Sequence, residues 1–433
     1  MPHQRDHQLP LRPDWEYTAT IDSDGHLTVD STGRRAQPGL PSISSTTWML
    51  DVSYRASSRW KLPAVTIHQG GIALFTQYLE PNEAGRRLIN LTGISSLEDI
   101  RLDLSHLRFE TQARLLGFTQ PDLDSGPILI IAPHPDDAEL AAFGLYAQHP
   151  KNTWIVTLTP GERLKKLDKQ YWPKMDGSLE EASRRKGFIR TWNSATTPLL
   201  AGVPAQQLVM LGYFNDTLDA LYADPDVPQP SHSAGDVTPD TFRRWNHLVL
   251  PSDGQAINTG HCLQQDLIAL LNQIKPTTVI TPHPELDPHT DHIAATEHLL
   301  AAMQESEHSP ETMLLYANHL KSTRGFPRGP AHAAAGVWPI QLAASRLGEW
   351  RLMSTRLDLE TQKQKALALH SMHDLGGKPG LERRWKRRLM RWLSGVPTQQ
   401  WKEYGGHDYF QTHVKAHEVF GMINLRNPQN LTS

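Results

Sequence analysis

Short uninterrupted apolar runs begin at residue 128 and recur through the middle of the chain. Runs of this length, bounded by polar turns, are typical of strands buried on both faces of a parallel sheet. Stretches with helical periodicity lie between them, so strand and helix alternate as in a doubly wound α/β fold. The predicted strands are ILIIA (128–132), WIVTL (154–158), LVMLG (208–212) and TVIT (278–281), and the predicted helices are AELAAFGLYAQ (138–148), SLEEASRRKGFIRTWNSA (178–195) and CLQQDLIALLNQI (262–274).

The N-terminal part of the chain has a different pattern, in which apolar and polar positions alternate. In YTATIDSDGHLTVD (17–30), two alternating runs flank a Ser-Asp-Gly turn, which predicts a β-hairpin. We therefore predict an N-terminal β-rich, sandwich-like domain over 1–122, a mostly parallel, Rossmann-like α/β domain over 126–330, and a C-terminal extension over 331–433 packed on the α/β domain. Residues 218–262, rich in Pro, Asp, Gly and His, are expected to form a long insertion or active-site loop.

The composition narrows the functional classes. The 433 residues carry 43 Lys and Arg against 46 Asp and Glu, so the net charge of −3 gives the whole chain no electrostatic footprint for nucleic acid. The single cysteine, Cys262, excludes an intrachain disulfide and a thiolate zinc cage, so a metal site would need His and carboxylate ligands. The N-terminus lacks the apolar core of a signal peptide, and no apolar window approaches the roughly 18 residues of a membrane span. We expect a soluble, cytoplasmic protein.

The first predicted strand of the α/β domain ends in an unusual polar turn, APHPDDAEL (132–140). Two adjacent carboxylates repel each other unless a cation or a reaction makes use of them. The turn lies at the carboxyl edge of the sheet, where open α/β sheets bind ligands. His134 and Asp137 stand three residues apart and can point inward together, while Asp136 projects separately. Alternatively, the two aspartates are a helix N-cap and its neighbour.

A second polar loop follows the last of these strands, in TVITPHPELDPHTDHIAATEHLL (278–300). His289 and His292 are three apart at a helix start, which places both imidazoles on one face, and the nearby Asp287 and Asp291 are close enough to orient a ring. In a chain with 22 histidines, one such pair alone is more often a surface or capping feature. Together, however, the two loops supply two histidines and a carboxylate, the ligand set of a catalytic zinc that keeps a fourth position for water. Iron(II) accepts the same ligands.

Three motifs in this region, PHPDDAE (133–139), TLTPGE (157–162) and HTDHIAA (289–295), resemble those of the PIG-L/LmbE-like zinc-dependent de-N-acetylases and occur in the same order. The resemblance covers about residues 126–300. It implies roles for six residues: His134, Asp137 and His292 as zinc ligands, Asp136 as the general base, His289 as the acid or carbonyl-polarising group, and Asp291 as the aspartate of the catalytic machinery that orients a ring.

The resemblance further implies a hydrolase that uses a metal-activated water to remove the N-acetyl group from an N-acetylhexosamine in a glycan or glycolipid, such as a lipopolysaccharide core. One alternative is an amidase for another small N-acetylated conjugate, and another is an inactive glycan-binding protein. The chain has no Walker A, G-x-S-x-G, H-E-x-x-H or G-x-G-x-x-G motif with suitable flanks, which leaves phosphate-loop, serine-hydrolase and dinucleotide-binding functions without support.

A basic segment near the C-terminus, LERRWKRRLMRWLSGV (381–396), has apolar residues at helical spacing and six basic residues against a single Glu382. Such a helix either packs on the enzyme's own core or lies in the interface of an anionic membrane. We expect it to guide the enzyme, as a peripheral protein, to the inner face of a membrane or to the phosphates of a glycolipid. The apolar stripe is Leu381, Trp385, Leu389, Trp392 and Val396, and the basic residues are Arg383, Arg384, Lys386, Arg387, Arg388 and Arg391.

Overall fold

The computed structural model describes residues 2–30, 42–320, 326–375, 381–394 and 413–426. Within these residues, the strands form one sheet of nine strands and one of seven. The first sheet is built from the N-terminal part of the chain, and the second contains the strands predicted for the α/β domain. The fold therefore joins a β-rich region to a mixed α/β region.

The nine-stranded sheet is antiparallel except where its first and shortest strand runs parallel to β7. Strands β2 and β3 form the predicted hairpin, with Thr18 opposite Asp30. Hydrogen bonds connect all nine strands in the order β1-β7-β4-β9-β2-β3-β8-β5-β6, and the sandwich-like packing stays a prediction. The strands are β1 (His3–Gln4), β2 (Trp15–Ile21), β3 (His26–Asp30), β4 (Thr46–Ala56), β5 (Ala64–Gln69), β6 (Ile72–Tyr78), β7 (Glu83–Asn90), β8 (Ile100–Ser105) and β9 (Leu107–Thr119).

The seven-stranded sheet has the order β12-β11-β10-β13-β14-β16-β15, and its first five strands are parallel. The four predicted apolar runs correspond to its buried strands β10 to β13, so the prediction of a mixed α/β fold with a mostly parallel sheet is confirmed. The strands are β10 (Ile128–Ala132), β11 (Thr153–Thr157), β12 (Leu208–Met210), β13 (Thr278–Pro282), β14 (Thr312–Tyr316), β15 (Arg351–Arg356) and β16 (His417–Asn424).

Helices connect these strands, and the three predicted helices correspond to α1, α2 and α4. From β10 the chain proceeds outward through β11 and β12, and it then returns to add β13 on the other side of β10. The strand order thus reverses between β10 and β13, which is where doubly wound sheets bind their ligands. The helices are α1 (Asp137–Gln148), α2 (Leu179–Thr196), α3 (Leu218–Ala223), α4 (Gly260–Ile274), α5 (Thr290–Glu305), α6 (Leu359–Ser371) and α7 (Leu381–Ser394).

The C-terminal part of the chain is built into this sheet. β15 and β16 pair antiparallel with each other, and β16 pairs with β14, so the sheet continues beyond the boundary predicted at residue 330. Trp350 and Leu352 in turn pack against Met49 and Phe118 of the nine-stranded sheet. Residues on both sides of position 330 therefore belong to one sheet.

The C-terminal elements also brace the helix that begins at Asp137. Helix α1 is kinked at Ala142, where the backbone leaves helical geometry. The Glu418 carboxylate of β16 accepts the freed backbone N–H groups of Gly144 and Leu145 at 2.8 and 2.9 Å. Lys365 of α6 donates to Glu418 at 2.7 Å, so the buried carboxylate is neutralised.

The basic helix is present over Leu381–Ser394, and the last two residues of the predicted segment lie outside the described residues. Trp385 and Trp392 are 70% and 76% exposed, and Leu381 and Leu389 are exposed as well. Within the described ranges, the apolar stripe therefore packs on no core, contrary to the first of the two alternatives. Among the described helices, none is both long and apolar enough to cross a bilayer.

Candidate active site

The two predicted loops meet at the switch point of the seven-stranded sheet. β10 leads into the loop that carries His134 and into α1, while β13 leads into the loop before α5, and the two strands are hydrogen-bonded neighbours. Asp136, the residue before α1, has a φ of 133°, a strained value for a residue with a side chain. The tight turn brings the side chains of both loops to one point.

His134, Asp137 and His292 form a buried triangle of potential ligand atoms. His134 Nδ1 lies 3.3 Å from Asp137 Oδ2 and 3.3 Å from His292 Nε2, and the third side, between His292 Nε2 and Asp137 Oδ2, is 3.2 Å. Ligands at about 2.0–2.1 Å around a tetrahedral zinc would be separated by about 3.3–3.4 Å. The three residues therefore fit three corners of a tetrahedral metal site.

A carboxylate hydrogen-bonds to the outer nitrogen of each histidine in this triangle. His134 Nε2 bonds to Asp291 Oδ2 at 3.0 Å, and His292 Nδ1 bonds to Asp287 Oδ2 at 2.9 Å. Carboxylates in this position are the usual outer partners of metal-ligating histidines. They leave Nδ1 of one ring and Nε2 of the other directed at the centre of the triangle. Asp291 is thus in a position to orient the His134 ring.

Hydrogen bonds to carboxylates favour positive charge on both rings. Burial lowers the pKa of His134, but Asp137 and Asp291 outweigh this and raise it to about 9. Burial likewise lowers the pKa of His292, but Asp137 and Asp287 outweigh this and raise it to about 10. Burial raises the pKa of Asp137, yet the two imidazoles bring it well below its usual range. This environment favours a cation.

The side chain of Asp136 contacts helix α2. Its Oδ1 lies 3.3 Å from Arg190 Nη2, which also donates to the carbonyl of Pro135 at 2.9 Å. Burial raises the pKa of Asp136, and the guanidinium of Arg190 opposes the shift. Asp136 is therefore a partly desolvated carboxyl beside the metal-type triangle, a suitable position for a proton acceptor.

His289 caps the N-terminus of α5 and faces the same space. Its Nδ1 accepts the backbone N–H of Asp291 at 3.3 Å, which leaves the proton of the neutral ring on Nε2. The ring centroid lies 5.0 Å from that of His134 and 4.9 Å from that of His292. Burial and the two neighbouring imidazoles lower the pKa of His289. A neutral donor therefore stands beside the triangle.

The sequence analysis missed several residues of the site. Asn318 Nδ2 donates to Asp137 Oδ1 at 2.8 Å and thereby leaves Oδ2 for the triangle. The His319 ring lies 5.1 Å from that of His292, and the Asp216 backbone N–H donates to Asp291. All three follow the ends of buried strands, so the rule that identified His134 could have found them. Arg190 lies within α2 and carried no such signal.

Fold and site together define an α/β protein with a three-residue cluster that could hold a metal at the switch point of its sheet. Residues 129–303 match the family model described as PIG-L: GlcNAc-PI de-N-acetylase, and this part of the chain is a domain of that family. The family resemblance drawn from the three motifs is confirmed, and the match supports a metal-dependent de-N-acetylase.

Solved structures that are similar to this chain share little sequence with it. The conserved protein TT1542 from Thermus thermophilus is 19% identical, covers 65% of this chain and 92% of its own, and has a TM-score of 0.31. A deacetylase of teicoplanin biosynthesis, solved with teicoplanin, is 15% identical over 69% and 98%, with a TM-score of 0.34. The 4-carboxy-2-hydroxymuconate hydratase GalB from Pseudomonas putida KT2440 is 13% identical over 68% and 95%, with a TM-score of 0.34. No curated protein sequence matches this chain.

Proposed function

We propose that this protein is a metal-dependent hydrolase that removes the N-acetyl group from an N-acetylhexosamine in a glycan or glycolipid. The observation that carries the proposal is the buried triangle of His134, Asp137 and His292, with sides of 3.2–3.3 Å. Two flanking groups, Asp136 and His289, supply a proton acceptor and a proton donor. Zinc and iron(II) both suit this ligand set.

The residues of the site divide the work of amide hydrolysis. His134, Asp137 and His292 would hold the metal, which when bound would supply a nucleophilic water at neutral pH and polarise the acetyl carbonyl. Asp136 accepts the proton that the attacking water loses. The Nε2–H of His289 donates to the developing oxyanion or to the leaving nitrogen. The C–N bond of the acetamide breaks, and acetate and a free amine are released.

Acetate release tests this proposal directly. The purified protein is stripped with a chelator, reloaded with zinc or iron(II), and incubated with N-acetylglucosamine, N-acetylated oligosaccharides and a glycolipid that carries N-acetylglucosamine. We expect metal-dependent acetate release from at least one of them. Release only from small non-sugar amides would favour the amidase alternative, and sugar binding without release would favour an inactive glycan-binding protein.

A glycolipid substrate is favoured by the surface of α7. Trp385 and Trp392 expose a tryptophan-rich stripe beside the exposed basic residues Lys386 and Arg388. Tryptophan and basic residues on one helix suit the interface of an anionic membrane, where each basic residue contributes about 1 kcal/mol. We propose that α7 brings the enzyme to a membrane surface or to the phosphates of a lipopolysaccharide-type substrate.

Co-sedimentation with anionic vesicles at low and high salt tests this role of α7. The wild type is compared with a Trp385→Ser, Trp392→Ser variant and with Trp60→Ser, which alters an exposed tryptophan of the N-terminal region. We expect salt-sensitive binding that the α7 variant loses and the control retains. A wild type that fails to bind vesicles at either salt concentration would refute membrane docking and leave the hydrolase proposal intact.

A further inference from the structure

Three aromatic rings cluster at the surface near Asp136. Tyr171 and His373 stack with centroids 5.7 Å apart, and Trp172 lies edge-on to both at 6.0 and 5.9 Å. We propose that this cluster, Tyr171, Trp172 and His373, binds the sugar ring next to the N-acetylated residue of the substrate. The inference rests on the proposed function and adds a subsite to it.

A chain of polar contacts connects the aromatic cluster with the candidate base. The Tyr171 hydroxyl bonds to Asp374, and Asp374 pairs with Arg190. Arg190 in turn contacts Asp136 at 3.3 Å. Only one guanidinium and one carboxylate therefore separate Tyr171 from Asp136. A group bound on the cluster would be a close neighbour of a group that reacts at Asp136.

The cluster is held in place before any ligand arrives. The backbone N–H and the Nδ1 of His373 both lie 3.2 Å from Asn193 Oδ1. Asn193 Nδ2 donates to the carbonyl of Ser371 at 3.3 Å, and the side chains of Met372 and Leu375 are buried on either side. A rigid aromatic surface binds with little loss of conformational entropy.

The chemistry of the cluster suits a pyranose. Trp172 is 42% exposed and offers an apolar ring, to which the C–H face of a sugar can bind. The Asp374 carboxylate, which bonds to Tyr171 of the cluster, lies 3.7 Å from Lys186 Nζ, so charged hydrogen-bonding groups border the cluster. Aromatic faces bordered by charged groups match the alternation of apolar faces and polar edges in carbohydrates.

Part of the aromatic cluster comes from outside the region that matches the family. Tyr171 and Trp172 come from the loop between β11 and α2, whereas His373 and Asp374 follow α6 and lie outside the family match at 129–303. The C-terminal region thus contributes half of the subsite. A domain of this family without that region would lack it.

The test compares two sugars and three variants. N-acetylglucosamine fills only the reaction site, whereas N,N′-diacetylchitobiose also reaches the cluster. For the disaccharide we expect Trp172→Ala to raise KM about tenfold at unchanged kcat, a change within the range of one aromatic contact. The KM for the monosaccharide should change less than twofold, and Trp172→Phe should restore most of the loss.

Trp192→Ala is the matched control, because Trp192 is 50% exposed and its ring packs on Trp245, which is not part of the cluster. It should leave both KM values unchanged. Calorimetric binding of the disaccharide to the zinc-loaded Asp136→Asn protein, with and without Trp172→Ala, provides a readout that needs no turnover. Equal affinity and equal KM with and without Trp172 would overturn the subsite. A wild type that binds through Trp172 yet releases no acetate would instead overturn the proposed reaction.

Discussion

Among the described residues, two separate regions group a histidine with nearby ligand atoms in the manner of a metal site. One region contains the triangle of His134, Asp137 and His292, whose His134 also groups with His289 and Asp291, and the other contains His7, Glu80 and Glu83 of the N-terminal region. In both, the potential ligand atoms lie within 4.8 Å of one another. Donor types and spacing alone do not separate the two clusters.

The two clusters differ in the charged groups that contact their potential ligands. In the N-terminal cluster, Arg87 Nε bonds to Glu80 at 2.9 Å and Arg87 Nη2 bonds to Glu83 at 2.7 Å. Burial, and then Arg87, lower the pKa of His7 to about 3. At the sheet edge, Arg190 contacts Asp136, which is not one of the three candidate ligands, and the ligand histidines contact carboxylates.

The two clusters differ in how much negative charge is left uncompensated for a metal ion. The glutamates beside His7 already have a cation in Arg87, and a metal ion would have to displace it. Asp137, Asp287 and Asp291 surround two imidazoles that burial alone would keep neutral. We therefore expect a divalent metal at the sheet edge and a guanidinium as the permanent cation of the N-terminal cluster.

The largest expected effect is a loss of turnover without a loss of metal. Asp136→Asn removes a proton acceptor and no ligand, so turnover should fall roughly 10²- to 10⁴-fold while metal content stays at the wild-type level. Steady-state acetate release and metal analysis of the same preparation measure both quantities. Full activity in this variant would show that Asp136 is not the base.

A second substitution tests the cation of the N-terminal cluster. Arg87→Met leaves the buried Glu80 and the half-buried Glu83 and His7 without their cation, and the free energy of unfolding should fall by about 3–5 kcal/mol. Lys363→Met, which breaks an exposed pair with Glu360, should change it by less than about 1 kcal/mol. Chemical denaturation compares the two. Equal stability of both variants would contradict the assigned role of Arg87.

The fold and the candidate ligands were accessible from the sequence for a simple physical reason. Strands buried on both faces, such as ILIIA, leave a continuous apolar signature, and the residues that follow them must lie at one sheet edge. The same reasoning extends to Asn318, which follows β14, although that strand was not considered. Arg190 and Asp374 reach the site through the packing of α2 and α6, which no local pattern reveals.

The outer partners of the histidines provide a third test. Asp287→Asn keeps the shape of the side chain but removes the charge behind His292, so zinc affinity should fall roughly 10- to 100-fold. Glu83→Gln makes the equivalent change in the N-terminal cluster and should leave zinc affinity unchanged. Competition with a chromophoric chelator measures both. If the Asp287→Asn protein bound zinc as tightly as the wild type, Asp287 would not support metal binding by His292.

The dependence of metal affinity on pH provides a fourth test. The pKa values of His134 and His292, about 9 and about 10, mean that both rings of the metal-free protein carry protons at pH 7. Metal binding must release these protons, so affinity should rise with pH below about 9, by about tenfold per pH unit for each displaced proton. Chelator competition at several pH values measures the slope. An affinity that is independent of pH would contradict protonated ligands.

The most direct test is the metal content of three proteins prepared in parallel: the wild type, His292→Ala and His7→Ala. Each protein is stripped with a chelator, reloaded with excess zinc and desalted. Its zinc content is then measured by elemental mass spectrometry, and circular dichroism confirms that it is folded. We predict about one zinc per chain in the wild type and in His7→Ala, and background zinc in His292→Ala. A folded His292→Ala protein that keeps its zinc, or a His7→Ala protein that loses it, would contradict the account.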